Sequence, residues 1–272
     1  MNYQSVVRTF RNLWAFDNRW QLLFERALFR RTSVQIYRLG QLEMLVDNRA
    51  SDAGSIQGCM STDMYSRFFS HIPFKSIRNV CDFGANVGGF SLLLLSRGVK
   101  IDKLLCVELN PNTCDRLRYN IFTNLLNVQS EAKCEVVNAA VCNEEQSLVI
   151  KLGRGSTADN MKGTHQSGQI GREFEVDGTT IDILANRMFE DEIIDLCKMD
   201  IEGAEEDVIL GMESKVLSSI RFLLIEIHHA RSVTAIIDHL NGVGLIRVAG
   251  ENDVTLLGVS LFENKANHDK QT

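Results

Sequence analysis

The chain has 272 residues, of which 44% are hydrophobic and 24% are charged, proportions typical of a globular protein. They exclude a disordered chain, a collagen and a coiled coil. The net charge is −6, so no nucleic-acid partner is expected, because nucleic-acid binders normally carry a basic excess. The length allows one large domain, or one domain with an appendage.

Seven cysteines are present, and none forms a C-x-x-C pair. Cys81, Cys106, Cys134 and Cys197 lie in runs with strand character, where they act as small hydrophobic residues. Unpaired cysteines of this kind are typical of a reducing compartment. We see neither a secretory signal nor an apolar run of transmembrane length, so we expect a cytoplasmic protein.

The N-terminal segment is basic. The first 31 residues hold six arginines against Asp17 and Glu25, and the apolar residues of 5–31 recur at helical spacing. We expect a helix over 5–31 that packs on the main domain and leaves its arginines in water. A second interpretation stays open, because a basic, aromatic-rich amphipathic helix can make a peripheral contact with an anionic membrane.

A hairpin and a short helix are predicted next. Residues 34–47 place two apolar runs on either side of Gly40, which is typical of a β-hairpin. Asp52 stands where it would cap a short helix that runs through Met64 to Phe69. We therefore assign residues 1–78 to an N-terminal helix and hairpin extension.

From residue 79 the pattern changes to alternating strands and helices. Strands are predicted at 79–83, 103–109, 133–138, 193–199, 221–227, 245–248 and 254–262. Helices are predicted at 88–97, 112–125, 180–187, 204–212 and 232–240. Two shorter extended pieces, 147–152 and 172–176, flank a polar segment at 153–171 that is typical of a loop.

This alternation predicts an α/β fold with a doubly wound, mostly parallel sheet. The domain spans 79–264, and 265–272 form a polar tail. In such sheets the ligand lies outside the carboxyl ends of the strands, where the strand order reverses. The candidate site is therefore expected at the strand ends. These lie at Gly84, Glu108, Asn138, Asp200 and 226–229.

A glycine-containing turn follows the first strand of this domain. Residues 80–90 read VCDFGANVGGF, and glycines there let the backbone approach a ligand and adopt positive φ. The spacing G-x-x-x-G-G differs from the G-x-G-x-x-G of dinucleotide dehydrogenases. Glu108 ends the next strand, where a carboxylate is placed to accept hydrogen bonds from ribose hydroxyls. Together these features predict an adenosine-type ligand.

Several segments form a recognisable set. They are DFGANVGGFS at 82–91, VELNP at 107–111, Asn120 with Asn124, VVNAAV at 136–141, KMDIEGAE at 198–205 and LIEIH at 224–228. This set resembles the FkbM-type family of class I S-adenosylmethionine-dependent methyltransferases. The resemblance covers residues 34–262, and the block at 198–205 is its most specific part. The 153–171 segment shows no family pattern.

The resemblance implies a seven-stranded sheet with a final antiparallel strand, and S-adenosylmethionine bound across the first three strand ends. The cofactor-binding residues that it implies are Asp82, Gly84, Asn86, Gly88, Glu108, Asn138 and Ala139. The two glycines flank the methionine portion, and the aspartate holds its ammonium group directly or through water. The glutamate binds the ribose diol, and the last two residues lie against the adenine.

The candidate catalytic residues follow the fourth and fifth strands. They are Asp200, Glu202 and His228. Asp200 is expected to face the methyl acceptor, and His228 is the preferred base because histidine titrates near neutrality. A purely structural role for His228 is the alternative, with His229 as a weaker substitute base. Lys198 is expected to order this region.

A metal site is the alternative arrangement for the same strand ends. Asp200, Glu202, Glu226 and His228 offer oxygen and imidazole ligands that are compatible with Mg²⁺. Their spacing is not specific for a metal, so we expect a metal-free site. His165, in the polar loop, is expected to be a solvated residue rather than an acceptor contact.

Three functions are compatible with these features. We favour an S-adenosylmethionine-dependent O-methyltransferase that acts on a hydroxyl of a saccharide or secondary metabolite. A nicotinamide-dependent oxidoreductase is disfavoured by the missing G-x-G-x-x-G pattern. A non-catalytic family member that keeps the cofactor site is the third. The expected partner is a small-molecule or glycan acceptor, and the sequence carries no signal for the oligomeric state.

Overall fold

The structure is a computed structural model that describes residues 12–28, 33–152, 172–252 and 255–267. Its helices and strands are, in chain order, α1 (Arg19–Leu28), β1 (Val34–Leu39), β2 (Leu42–Asp47), α2 (Asp52–Ser61), β3 (Asn79–Phe83), α3 (Gly89–Ser96), β4 (Lys103–Glu108), α4 (Pro111–Val128), β5 (Lys133–Asn138), β6 (Ala140–Val141), β7 (Gln146–Leu152), β8 (Arg172–Thr179), α5 (Ile181–Phe189), β9 (Ile194–Met199), α6 (Glu205–Gly211), α7 (Ser214–Ser219), β10 (Ile220–Ile227), α8 (Val233–Gly242), β11 (Leu245–Gly250) and β12 (Gly258–Asn264). Short 3₁₀ turns cover Ser66–His71, Phe74–Ser76, Ala230–Ser232 and Lys265–Asn267. The predicted loop at 153–171, with His165, lies outside the described residues.

A seven-stranded sheet organises the fold, in the order β11-β12-β10-β9-β3-β4-β5. The five strands from β10 to β5 are parallel, whereas β12 runs antiparallel to both of its neighbours. This confirms the predicted doubly wound α/β sheet with an antiparallel closing strand. The chain leaves β3 toward β4 and β5 and later returns to β9 on the other side of β3. The strand order therefore reverses between β3 and β9, which is where such folds bind ligands.

The central strands are buried on both faces. Every residue of β3 and of β9 is buried. Helices α2, α3 and α4 pack on one face, and α5, α6 and α8 pack on the other. Strands covered on both sides are normally continuous apolar runs. The charged residues Asp82 and Lys198, buried in β3 and β9, are therefore exceptions that need a structural or functional reason.

The segment after β5 forms a separate three-stranded sheet in the order β6-β8-β7. The extended pieces predicted at 147–152 and 172–176 are confirmed as β7 and β8, which pair antiparallel. The unpredicted β6 is only two residues long and pairs parallel to β8. Because β6 starts two residues after β5 ends, this small sheet borders the carboxyl edge of the main sheet.

The predicted hairpin is confirmed, with β1 and β2 paired around Gly40 at a φ of +57°. Helix α4 covers the free edge of β2. Asn120 exchanges two hydrogen bonds with the backbone of Leu45, and Asn124 does the same with Glu43, at 2.6–3.1 Å. A side-chain amide carries both a donor and an acceptor, so each asparagine replaces a residue of a neighbouring strand. These contacts attach the hairpin to the main domain.

The single helix predicted over 5–31 is wrong within the described residues. Residues 12–13 are helical, residues 14–18 form a turn, and α1 then spans Arg19–Leu28. The hairpin causes the interruption: the Asp17 N–H donates to the carbonyl of Arg38 at 2.8 Å, and the Arg38 N–H donates to the side chain of Asn18 at 3.0 Å. These hydrogen bonds pair the turn with β1 in place of helical neighbours.

The prediction that Asp52 caps a helix reaching Phe69 is also wrong. Asp52 is the first residue of α2, and the helix ends at Ser61. The carboxylate of Asp52 is fully buried and pairs with Arg116 of α4 at 2.5 and 2.9 Å. It also accepts the backbone N–H of Asp47 at 2.8 Å. One aspartate thus joins the hairpin, α2 and α4.

All seven cysteines are free, and six of them are buried. Of the four predicted to act as small hydrophobic residues, Cys81, Cys106 and Cys197 are buried, and Cys134 is half-buried. Burial raises the pKa of Cys59 to about 12 and that of Cys134 to about 12, so neither is a thiolate at neutral pH. Within the described ranges, no helix is long and apolar enough to cross a membrane.

Candidate active site

A cavity of about 320 Å³ opens at the carboxyl ends of β3, β4, β9 and β10. It lies where the strand order reverses, the predicted place for a ligand. The predicted site residues that line it are Gly84, Asn86, Glu108, Ala139, Asp200, Glu202 and His228. The remaining three do not line it. They are Asp82, Gly88 and Asn138.

Gly84 begins the turn between β3 and α3. Its φ is +70°, and the N–H groups of Gly84 and Ala85 both donate to the carbonyl of Val107, at 3.0 and 2.9 Å. A Cβ atom on Gly84 would lie 1.7 Å from the carbonyl oxygen of Asp200. The close approach of the segment after β9 therefore requires this glycine, whether or not a ligand is bound.

Glu108, at the end of β4, forms the next part of the wall. Its carboxylate accepts the backbone N–H of Asn86 at 2.9 Å and that of Asn110 at 2.8 Å. Both are charge-assisted hydrogen bonds, and they tie the glycine turn to the start of α4. Asn110 caps α4 by accepting from Asn112 and Thr113, and a proline begins the helix.

Part of the wall beyond Glu108 is apolar. Leu109, Ala139 and Val141 line it. Asn138 lies beside this wall, and its side-chain amide donates to the carbonyl oxygens of Glu108 and Leu109 at 2.8 and 2.9 Å. Asn138 therefore joins the ends of β4 and β5 and supports the wall instead of lining it.

Two buried charges lie beneath the glycine turn. Asp82 is fully buried and accepts a serine hydroxyl of α3 at 2.7 Å. The Nζ of Lys198 lies 3.4 Å from Asp82 and 3.6 Å from Asp200, and it donates to the carbonyl of Gly84 at 2.7 Å. Burial opposes this charge, but the adjacent tyrosine and carboxylates raise the pKa of Lys198 well above its ordinary value. Lys198 thus cross-links β3, the turn and Asp200.

His228, directly after β10, lies among four carboxylates. Its Nδ1 is 2.9 Å from Glu205. Its Nε2 is 3.6 Å from Glu202 and 3.8 Å from both Asp200 and Glu226. Asp200 and His228 come together because β9 and β10 are adjacent parallel strands. The predicted catalytic residues therefore share one end of the cavity.

These carboxylates keep His228 positively charged. Burial alone would lower its pKa, but the hydrogen bond to Glu205 and the charges of Glu205, Asp200 and Glu226 raise the pKa of His228 to about 9. The expectation that His228 titrates near neutrality is therefore wrong. At pH 7 the ring is an imidazolium, which has no free nitrogen to accept a proton. His229 does not line the cavity.

The pKa of Glu202 is shifted toward neutral pH. Burial, followed by the negative charge of Asp200, raises the pKa of Glu202 to about 7, although His228 lowers it. The φ of Glu202 is +52°, a strained value for a non-glycine residue of the kind found at functional sites. The following residue, Gly203, donates its N–H to Glu205 at 2.9 Å. A carboxyl group with a pKa close to the working pH is suited to general base catalysis.

Two further residues of the site are not indicated by the sequence. The Tyr65 hydroxyl donates to Asp200 Oδ2 at 3.4 Å, across 135 residues of chain. Ser51 lines the cavity and accepts a hydrogen bond from the side chain of Asn86 at 3.1 Å. Both residues belong to the N-terminal extension, far in sequence from the strand ends, so no local pattern could have revealed them.

A metal ion could also be held at this end of the cavity. One ligand atom from each of Asp200, Glu226 and His228 lies within 4.8 Å of the others. Glu205 engages Nδ1 of His228, which leaves Nε2 toward the other carboxylates, as in many metal sites. The same nitrogen either carries a proton or binds a metal, so the two states exclude each other.

The chain is a doubly wound α/β protein with a cavity where the strand order reverses. The sequence model of the family described as "Methyltransferase FkbM domain" matches residues 82–244, which is more than half of the chain. The chain therefore belongs to the FkbM family of methyltransferases, and the resemblance predicted from its motifs is confirmed.

Individual relatives are distant. The chain is 23% identical to AMB antimetabolite synthetase AmbE of Pseudomonas aeruginosa over 200 residues, which cover 62% of this chain and 9% of the relative. It is similar to the structure of methyltransferase FkbM from Methylobacillus flagellatus KT, with 12% identity, a TM-score of 0.48, and coverage of 92% of this chain and 60% of that one. It is also similar to the structure of a methyltransferase from Pyrococcus furiosus, with 10% identity and a TM-score of 0.44. That match covers 92% of this chain and 99% of the other. The chain thus spans less than two thirds of the first two proteins.

Proposed function

We propose that the protein is an S-adenosylmethionine-dependent O-methyltransferase that acts on a hydroxyl of a saccharide or another small metabolite. The observation that carries this proposal is the presence of two unlike halves in one cavity. On one side, Glu108 offers a carboxylate beside an apolar wall. On the other, Asp200, Glu202 and His228 form an acid–base cluster. Membership of a methyltransferase family supports the reaction class.

The residues of the first half fit the methyl donor. The carboxylate of Glu108 lines the cavity at the end of β4, which suits a ribose diol. The apolar wall around Ala139 suits an adenine ring. The turn from Gly84 to Asn86 would hold the methionine portion. The excess of carboxylates in the cavity also favours a cationic sulfonium.

Three of the predicted cofactor residues act indirectly in this proposal. Asp82 would reach the ammonium group of the donor through a water molecule, because its carboxylate is buried beneath the turn. A Cβ atom at Gly88 would lie 3.0 Å from Ile121, so this glycine lets the turn pack on α4. Asn138 would fix the strand ends beside the adenine.

The chain itself has to align the acceptor and remove one proton. S-adenosylmethionine supplies an activated methyl group when bound, and alignment can provide much of the rate enhancement. We assign the proton to Glu202, which would take it from the acceptor hydroxyl while the hydroxyl oxygen displaces the thioether of the donor from the methyl carbon. Asp200 would orient the same hydroxyl, and Tyr65 would hold Asp200 in place.

His228 has a positioning role in this scheme. As an imidazolium it draws the surrounding carboxylates together, and its charge lowers the pKa of Glu202. Without that charge, Glu202 would be more fully protonated at pH 7 and would be a poorer base. This role differs from that of the base expected from sequence, and it agrees with the raised pKa of His228.

The negative charge of the second half also restricts the chemical class of the acceptor. Asp200, Glu205 and Glu226 would repel a phosphate or a carboxylate, and the net charge of −6 adds to this effect. A neutral saccharide or metabolite can instead donate its hydroxyl groups to these carboxylates. A cytoplasmic location, which free cysteines favour, is part of the same proposal.

Ligand-dependent stability tests this function against its alternatives. S-adenosylhomocysteine at about 100 times its Kd should raise the free energy of unfolding by about 2.7 kcal/mol, whereas NAD should have no effect. Stabilisation by NAD alone would identify an oxidoreductase. Binding of S-adenosylhomocysteine without transfer of a labelled methyl group to any hydroxylated acceptor in a glycan and metabolite screen would identify a non-catalytic member.

A further inference from the structure

Glu226 is a charged residue on a face of β10 that is otherwise apolar. Side chains alternate between the two faces of a strand, so Glu226 shares its face with Phe222 and Leu224. Both of these are buried in the core between the sheet and the helices α2, α3 and α4. The side chain of Glu226 is 27% exposed and lines the cavity instead. A partly buried carboxylate in this position needs a partner, because burying an unpaired charge is costly.

Two neighbouring carboxylates have hydrogen-bond donors of their own. Glu205 accepts a backbone N–H at 2.9 Å, and Asp200 accepts the hydroxyl of Tyr65 at 3.4 Å. Within the part of the chain that the structure describes, no hydrogen bond reaches the carboxylate of Glu226. Its closest cation there is Nε2 of His228, at 3.8 Å, which is beyond hydrogen-bond distance. The fold therefore leaves the oxygens of Glu226 available to a ligand in the cavity.

Glu226 lies beside the proposed base. The Oε2 atom of Glu202 is 3.6 Å from Nε2 of His228, and Oε1 of Glu226 is 3.8 Å from the same nitrogen. Both carboxylates thus meet at one atom, and both line the same cavity. An acceptor whose hydroxyl lies at Glu202 would therefore place the substituent of its next carbon atom close to Glu226.

The chemistry of the site indicates what this substituent is. An ionised carboxylate only accepts hydrogen bonds, so the substituent has to be a donor. Lys198 and His228 already supply positive charge beside the carboxylates, which favours a neutral hydroxyl over an ammonium group. The apolar side chains of Met64 and Ile201 line the same cavity, and they suit the C–H face of a sugar ring.

We propose that Glu226 binds a second hydroxyl of the acceptor, on the carbon next to the one that carries the methylated hydroxyl. Glu226 is then a specificity-determining residue that selects vicinal diols of saccharides over molecules with an isolated hydroxyl. Its carboxylate accepts a hydrogen bond and takes no part in the proton transfer, which stays with Glu202. This role rests on the methyl-transfer function proposed above and narrows the class of acceptor.

Binding of model acceptors tests this role without requiring turnover. The probes are the methyl glycosides of glucose, galactose, mannose and rhamnose, each compared with analogues that lack one ring hydroxyl. NMR titration of the full chain with S-adenosylhomocysteine present measures each Kd. At least one intact glycoside should bind, and removing the hydroxyl that contacts Glu226 should weaken its binding about 10–100-fold, as expected for a hydrogen bond to a charged group.

Substitutions assign the lost affinity to Glu226. In Glu226→Leu the intact glycoside and this deoxy analogue should bind equally weakly, while the Kd for S-adenosylhomocysteine stays unchanged. Glu131→Leu alters an exposed glutamate and should retain the full difference between the probes. Thermal unfolding checks both variants. Glu226→Gln keeps the shape of the side chain and serves where Glu226→Leu is unstable, and it should reduce the difference between the probes at least about threefold.

Four results would overturn the proposal. They are the absence of binding by every intact glycoside, an undiminished difference between the probes in a folded Glu226 variant, preferential binding of a glycoside whose second hydroxyl is replaced by an amino group, and binding that EDTA abolishes and Mg²⁺ restores. In the last case a metal ion would separate Glu226 from the acceptor. Failure of the proposed function would show separately, as glycoside binding that depends on Glu226 in a protein that transfers no methyl group.

Discussion

The two halves of the cavity are built differently. In the half that we assign to the methyl donor, here called the donor half, the carboxylate of Glu108 is paired with two backbone N–H groups beside the apolar residues Leu109, Ala139 and Val141. In the half that we assign to the methyl acceptor, here called the acceptor half, several carboxylates surround His228. There the pKa of Glu202 rises to about 7 and that of His228 to about 9. Among the described residues, the buried Oδ1 of Asp200 has no hydrogen-bond partner.

This difference indicates a division of labour. A carboxylate whose hydrogen bonds are already in place presents a preformed binding surface. Carboxylates that repel one another in a partly buried site have perturbed pKa values, which is typical of groups that move protons. We therefore expect donor-half substitutions to change cofactor affinity and acceptor-half substitutions to change the rate.

The largest effect is expected at Glu202. Glu202→Gln removes the proposed base and keeps the shape of the side chain, so the methyl-transfer rate should fall about 10²–10⁴-fold. The Kd for S-adenosylhomocysteine, measured by calorimetry, should not change. Glu131→Gln alters an exposed glutamate and serves as the control. An unchanged rate in Glu202→Gln would show that alignment alone carries the reaction.

A substitution at Gly84 should lower the stability of the fold, because Gly84 lies where the two halves of the cavity meet. Gly84→Ala places a Cβ atom 1.7 Å from the carbonyl of Asp200, in addition to the strain of its positive φ. The free energy of unfolding in urea should fall by about 2–6 kcal/mol. Gly98 has a similar φ of +73° with nothing within 4 Å of its Cβ position, so Gly98→Ala should cost only about 1–2 kcal/mol. Equal losses in the two variants would contradict the close approach.

Glu108→Ala tests the donor half. Loss of a charged hydrogen-bond acceptor for the ribose diol should weaken binding of S-adenosylhomocysteine by about 1.5–3 kcal/mol. Part of this loss would come from the turn, since Glu108 also holds the N–H of Asn86. Calorimetry of Glu108→Ala beside Glu131→Ala separates the effect from a general loss of charge. A Kd equal to that of the control would remove Glu108 from the cofactor site.

The charge of His228 predicts a pH dependence of stability. An ordinary histidine in the unfolded chain has a pKa of about 6.5, and in the folded protein the pKa of His228 is about 9. The stabilisation is complete below the unfolded value and is lost as the pH rises through the folded one. As the pH rises between these two values, the free energy of unfolding should fall by about 1–2 kcal/mol more for the unmodified protein than for His228→Gln, after allowance for solvent screening. Parallel stability curves for the two proteins would mean that the imidazole is not held as a cation.

The smallest effect is expected from chelation. Because the neighbouring carboxylates raise the pKa of His228 to about 9, Nε2 should carry a proton at pH 7, and we expect single-turnover methyl transfer to proceed equally with and without EDTA. Loss of activity in EDTA, with recovery on adding Mg²⁺, would instead assign Asp200, Glu226 and His228 to a metal site. The acceptor half would then be a metal centre, and the contrast with the donor half would need a different explanation.

The local sequence predicted most of the main sheet and the donor half. The strands at 79–83 and 133–138 are predicted to the residue, because short apolar runs end at residues that break them. The turn at Gly84 is likewise visible, since glycines between a strand and a helix indicate a close backbone approach. These features depend on neighbours in the chain, and a single sequence displays such neighbours directly.

Only the tertiary structure decided the acceptor half and the course of the N-terminal segment. The continuous helix over 5–31 fails because Asp17 and Asn18 form hydrogen bonds with β1. Tyr65 reaches Asp200 across 135 residues. The pKa of His228 is set by carboxylates on three separate segments, a sum of through-space charges that spacing along the chain does not reveal. The sequence by itself thus determined which residues end the strands, whereas the folded arrangement determined which of them are charged, because charge in a buried site depends on every group nearby.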